Sequence, residues 1–133
     1  MKFSQYPYER LDMDRIKASF EKLIEDSKNA QSGEEQFELH KKYYKLRGEV
    51  WSNFVICNFR HDIDTSDEFY SKEKDYIDEI QPLISQLQND YLKVVYESPY
   101  RDYLEEKISK VAFKNMELAN KSINDKILPL MQE

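Results

Sequence analysis

Glycine and proline are scarce in this chain, at 2 and 4 of 133 residues. The many tight turns of a β-sandwich or barrel need more of both, so those architectures are excluded. A lone cysteine, Cys57, rules out an internal disulfide. No apolar run approaches the roughly 20 residues of a membrane-spanning helix. Lys2-Phe3-Ser4-Gln5 stands where a secretory signal needs a long apolar stretch, so the expected compartment is the cytoplasm and no membrane partner is expected. Basic residues are also outnumbered, 20 against 26 acidic ones, for a formal charge of −6. That is the opposite of a nucleic-acid footprint.

What the chain has in abundance is charge and aromatic rings. Charged residues make up 35% and suit long solvated helices, and the 14% aromatic content, ten tyrosines included, separates the chain from acidic disordered tails. A chain of this size buries roughly two-thirds of its unfolded surface and needs neither disulfide nor metal to fold. The expected class is all-α, a single domain of five or six helices in antiparallel hairpins.

The apolar pattern divides this domain into segments. Pro7 disfavours helix at Tyr6, so residues 1–10 read as an extended lead-in lying over the helices. Asp12 caps a first helix with Ile16, Phe20, Leu23 and Ile24 on one stripe. A second helix starts at Glu34. Leu39, Tyr43, Leu46, Val50, Phe54 and Cys57 line one of its faces and Phe37, Tyr44, Trp51 and Val55 an adjoining one, which predicts burial on two sides. Gly48 in its middle costs about 1 kcal/mol relative to alanine, and close approach of a neighbouring helix is the expected compensation.

Residues 58–68 read as a polar connector that ends in a capping box, with Thr65 as N-cap and Glu68 reaching back to it. Phe69, Ile77, Ile80, Ile84, Leu87, Tyr91 and Val94 then follow helical spacing, and Pro82 should kink or break that helix. Ser98-Pro99 signals a further start, with Tyr100, Leu104, Ile108, Val111 and Met116 as its buried stripe. Ser122 caps an expected last helix over 122–133. Its apolar end, Leu128-Pro129-Leu130-Met131, reads as part of something longer.

Several constellations imitate active chemistry. The two histidines, His40 and His61, lack the i, i+4 spacing of a zinc helix. Cys57 beside His61 offers a nucleophile and a base, but a cysteine on an apolar helix face is more often a small core residue. Asp62, Asp64, Ser66 and Glu73 match calcium-loop positions one, three, five and twelve, yet Asp67 occupies the position that requires glycine. The run from His40 to Arg47 interleaves base with tyrosine; on a helix it forms a solvated strip over a core rather than a nucleic-acid surface. Arg60, His61, Asp62 and Asp64 make a dense knot of both signs, read as a salt-bridge network holding the connector.

The run from Asn58 to Tyr70, with its Arg60-His61-Asp62-Ile63-Asp64-Thr65 core, resembles the N-terminal domain of oligoendopeptidase F-type zinc metallopeptidases, relatives of thimet oligopeptidase. The Tyr6-Pro7-Tyr8 opening, residues 75–83, Glu97-Ser98-Pro99-Tyr100-Arg101 and Leu130-Met131-Gln132-Glu133 extend the resemblance in order over nearly the whole chain. The resemblance implies that residues 1–133 are one helical N-terminal domain of a longer cytosolic peptidase acting on short peptides, covering one side of its channel. It also implies zinc in the full-length parent, held by a His-Glu-x-x-His helix in a C-terminal catalytic domain. No catalytic, cofactor-binding or metal residue carries over to this chain, which by itself is expected to be inactive. Arg60, His61 and Asp64 are expected to brace the connector against that catalytic domain, and together with Asp62, Thr65 and Tyr70 they are the candidate structural or interdomain residues.

Two other readings stay open. One is a stand-alone helical interaction module that dimerises through residues 127–131. The other is a small enzyme built on His61 and its neighbouring carboxylates.

Overall fold

The structure, a computed structural model, describes residues 8–122 and residue 130. Asp12 does cap the first helix. Its carboxylate accepts the Arg15 amide, and α1 runs over Met13–Lys28 with Ile16, Phe20 and Leu23 buried. Ser32 caps α2, Gly33–Ile63, by accepting the Glu35 amide. Then come α3, Glu68–Tyr96, α4, Arg101–Lys107, and α5, Lys110–Ser122. The described residues form an all-α bundle.

Length decides what packs where. At about 1.5 Å per residue, α1 reaches along only half of α2. The short link over 29–32 makes the two antiparallel neighbours, so α1 covers the first half of α2 and its Arg15 meets Glu49. The second half of α2 instead receives residues 8–12, where Asn53 Nδ2 donates to the Glu9 carbonyl at 2.6 Å. α3 packs on both α1 and α2, α5 packs on α3, and α4 bridges α2 and α5. The core joins Leu39, Tyr43, Val50, Phe54 and Cys57 of α2 to Ile77, Ile80, Ile84, Tyr91 and Val95 of α3.

Five sequence expectations change. Residues 58–63 are the last turns of α2 rather than connector, and only residues 64–67 link the helices. Thr65 does not cap α3. Asp67 does, its Oδ1 accepting the Phe69 amide at 2.9 Å and the Tyr70 amide at 3.3 Å, because a carboxylate there also complements the helix dipole. Tyr44, Trp51 and Val55 are exposed, so α2 is buried on one side and not two. Among the described residues nothing approaches Gly48, where a built Cβ meets no atom within 4 Å. Val111 is exposed because Ser109 Oγ accepts the Ala112 amide at 3.2 Å and starts a new helix, dividing the expected stripe between α4 and α5.

Other details refine the reading. α3 passes through Pro82 as one unbroken helix. Ser98 Oγ accepts the Tyr100 amide at 3.0 Å as its cap role predicts, but residues 99–100 form a turn before α4 begins. Ser122 is helical, as the last described residue of α5. The expected helix over 122–133 otherwise lies outside the described residues, Leu130 excepted.

Candidate functional site

The corner between α2 and α3 gathers most of the residues singled out in the sequence. Arg60 and His61 fall in the last turn of α2, where positive charge complements the helix C-terminus. Arg60 Nη1 donates to the Tyr70 hydroxyl at 2.6 Å, and its guanidinium lies 5.7 Å from the centre of that ring. This joins the end of one helix to the start of the next. Asp64 Oδ1 accepts the Ser66 amide at 3.0 Å and the Ser66 hydroxyl. Those two bonds hold the Asp64 carboxyl below its usual pKa and fix the turn. Thr65 is exposed within that turn. His61 Nδ1 lies 3.8 Å from Asp62 Oδ1, beyond hydrogen-bond range, so the expected ion-pair knot is looser than its sequence suggests.

Glu73, which the calcium-like spacing offered as a ligand, is fully committed elsewhere. It is buried and accepts hydrogen bonds from the Tyr8 hydroxyl at 3.0 Å and from the Arg10 guanidinium through both carboxylate oxygens. The Arg10 bonds hold its carboxyl below the usual glutamate range despite burial, and burial with the Glu73 bond pushes the Tyr8 hydroxyl far up. The Tyr8 ring meets Tyr70 edge-on at 5.6 Å. Residues 8–12 are therefore clipped across α2 and α3, with the Arg10 guanidinium stacked 4.2 Å over Tyr76. Cys57, fully buried nearby, has its thiol pushed up by burial, which opposes a nucleophilic role. Arg10 and Glu73 escaped the sequence reading because 63 residues separate them.

His40, assigned from sequence to a solvated strip, is instead buried between α2 and α3. Its Nδ1 lies 2.8 Å from the Tyr91 hydroxyl and its ring stacks on Tyr43 and Tyr91. Beside it, the Gln36 side-chain carbonyl accepts the Ser98 hydroxyl. These are core polar groups, closed to a substrate.

The outer side of α2 differs from both clusters. Tyr44, Trp51, Val55, Phe59 and Ile63 are all exposed there. Beside Trp51 runs a groove of about 280 Å³, lined by Val55, Asn58, Phe59, Asp62 and Gln81.

The sequence profile of the Peptidase M3 N-terminal domain matches residues 3–123. The chain belongs to that family. Solved structures agree with the M3 assignment. PZ peptidase A, solved with an inhibitor, is 40% identical over 91% of this chain with a TM-score of 0.88. A structure assigned to oligoendopeptidase F is 38% identical over 92% with a TM-score of 0.88. Another, from Bacillus anthracis strain Ames, is 29% identical over 97% with a TM-score of 0.89. No curated protein matches the chain. This M3 domain spans 22% to 24% of the length of those solved chains.

Zinc fits nowhere among its described residues. No three His, Cys, Asp or Glu side chains converge there. His40 is enclosed against Tyr91, and Glu73 is held by Arg10 and Tyr8. Nor is any described helix long and apolar enough to cross a membrane.

Proposed function

We propose that this M3 domain is the N-terminal lobe of a zinc-dependent oligoendopeptidase, covering one side of the substrate channel and limiting access to short peptides. The observation that carries the reading is the match over residues 3–123 within solved peptidase chains more than four times its span. Hydrolysis belongs to a C-terminal catalytic domain of the same polypeptide, which holds the zinc. This lobe contributes shape and stability. Cys57, buried and unpaired with a disfavoured thiolate, suits a reducing cytoplasmic setting.

In this reading the corner of Arg60, His61, Asp62, Asp64, Thr65 and Tyr70 is the brace against the catalytic domain. The Arg60–Tyr70 bond and the Asp64–Ser66 turn support that role, because they fix the angle at which α2 hands over to α3.

The test uses the polypeptide encoded by the continuous reading frame. Full-length protein should cleave quenched fluorescent peptides of about ten residues and spare folded proteins, with activity lost to a zinc chelator. The 133-residue chain alone should cleave neither. Cleavage by the isolated chain, or a frame without His-Glu-x-x-His, would overturn the reading. Arg60→Ala should lower either the activity or the melting temperature of the full-length enzyme, and no change in both would remove the brace.

A further inference from the structure

The line along which α1 meets α2 opens into a surface groove. Arg15, Ser19, Lys22 and Asp26 follow one another at steps of four, three and four on α1, so they share one helix face. Leu39, Lys42, Leu46 and Glu49, at steps of three, four and three, share the facing side of α2. The groove between them measures about 280 Å³. Its floor is apolar, because Leu23, Leu39 and Leu46 line it and each is only 8% exposed. Its rim is charged with a positive surplus: Arg15, Lys22, Lys42 and Lys45 stand against Asp26 and Glu49, in a chain whose formal charge is −6.

Ion pairing concentrates that surplus on two side chains. Arg15 meets Glu49 across the groove, and Lys22 Nζ lies 3.3 Å from Asp26 Oδ2. Helical spacing offers Glu38, four residues before Lys42, and Glu49, four residues after Lys45, as partners for the remaining lysines. Both are engaged elsewhere, Glu38 with Lys41 at 2.9 Å and Glu49 with Arg15. Among the described residues, no carboxylate lies within salt-bridge distance of Lys42 or Lys45. Both lysines are exposed and stand three residues apart, with their Cβ atoms separated by roughly 5 to 6 Å, a like-charge pairing that weakens a helix unless an anion answers it.

An apolar side chain flanked by two carboxylates answers both the floor and the rim. In an extended peptide alternate side chains point to opposite sides, and those on one side recur every roughly 6.5 Å. In Glu-Leu-Glu the leucine enters the groove while the two carboxylates stay at the rim, close to the spacing of the two lysines. An inorganic anion would leave the leucine floor unused, and a nucleic acid would bring its phosphates against the acidic remainder of the chain. Residues 1–7 contain no acidic side chain, and residues 123–133 contain only Asp125 and Glu133, so neither end of this chain carries the pattern. We infer that the groove between α1 and α2 binds a free acidic peptide, with one apolar side chain on Leu23, Leu39 and Leu46 and the flanking carboxylates on Lys42 and Lys45. This deepens the proposed function by naming the class of peptide the lobe favours, and rests on it only for that use, since binding is read without cleavage.

Nuclear magnetic resonance titration of the 133-residue chain with acetylated and amidated Ser-Glu-Leu-Glu-Ser tests this. The shifts should saturate, be largest at the methyl groups of Leu23, Leu39 and Leu46, and include the Lys42 and Lys45 amides. Ser-Gln-Leu-Gln-Ser should bind at least about tenfold more weakly to the unchanged protein, because both charge pairs are lost. Lys42→Glu/Lys45→Glu should weaken binding of the acidic peptide by at least about as much, its own spectrum showing that it remains folded, while Lys42→Arg/Lys45→Arg should keep the affinity. Added salt should weaken the acidic peptide and not the neutral one. Equal affinity for the two peptides, shifts centred away from the three leucines, or no saturation up to about 5 mM peptide would overturn the inference. Binding by the 133-residue chain but not by the full-length polypeptide would overturn it too, assigning the groove to another segment of that polypeptide. A full-length polypeptide that hydrolyses no peptide would remove the proposed function and leave this binding standing.

Discussion

His40 and Tyr91 are joined across the core, with imidazole Nδ1 2.8 Å from the phenol oxygen and the rings nearly parallel at 14°. Burial alone holds the His40 pKa down at about 4, against 6.5 for a free imidazole. The unfolded chain therefore takes up this proton first as the pH falls. Stability is whole above about pH 6.5 and is lost progressively down to about pH 4, by on the order of 3 kcal/mol in total. Urea unfolding at pH 7, 6 and 5 should show this loss in the wild type. His40→Gln should be less stable at pH 7 but much flatter across the window. An equal loss in His40→Gln would place the titration elsewhere.

Glu73 titrates in a separate, lower window. Its folded pKa is depressed, so the stability it contributes is present above about pH 4.5 and disappears below that. Glu73→Ala at pH 7 leaves the Tyr8 hydroxyl and the Arg10 guanidinium without their acceptor, and should cost about 2 to 3 kcal/mol. Arg10→Ala should cost less, because Glu73 then keeps its bond from the Tyr8 hydroxyl, and the Arg10 side chain is 52% exposed while that of Glu73 is 5% exposed. Chemical denaturation ranks the two, and a reversed order would mean that Arg10 rather than Glu73 anchors the clip.

The cap of α3 gives a pair of substitutions with opposite expectations. Asp67→Ala removes the acceptor of two helix amides and should destabilise by about 1 kcal/mol. Thr65→Ala, in an exposed turn, should change stability by less than about 0.5 kcal/mol. Thermal unfolding distinguishes them. A larger effect at Thr65 would restore the capping box that the sequence alone suggests.

That pair also marks how far sequence carried. Asp12 and the buried stripe from Leu39 to Cys57 were legible because a cap and a helical period are local signals. Residues 58–63 were misread because their polar run matches a loop in composition; as the last turns of a long helix, they place Arg60 and His61 where the helix dipole favours base. The outer apolar side of α2 reads as core because periodicity reports that a face is apolar, not how deeply it is buried. The family resemblance was legible in ordered motifs, whereas the Arg10–Glu73 clip depends on chain segments brought together only by folding.

Gly33 is the counterpart of Gly48, and it yields a prediction whose sign reverses with its neighbour. A Cβ at Gly33 would lie 2.7 Å from Tyr103 Cδ1, 2.8 Å from Cγ and 3.0 Å from Cβ. These atoms sit near the root of the side chain, so rotating the ring does not clear the clash and α4 has to move away from α2. Backbone conformation gives no reason for the glycine, since its φ is not positive. Gly33→Ala should therefore destabilise by about 1 to 2 kcal/mol through overpacking. In a Tyr103→Ala background the obstruction is gone and the better helix former should win, making the same substitution neutral or stabilising by up to about 1 kcal/mol. A double-mutant cycle read by urea denaturation should give a coupling of about 1 to 3 kcal/mol. The same effect of Gly33→Ala in both backgrounds would mean that Tyr103 does not enforce the glycine.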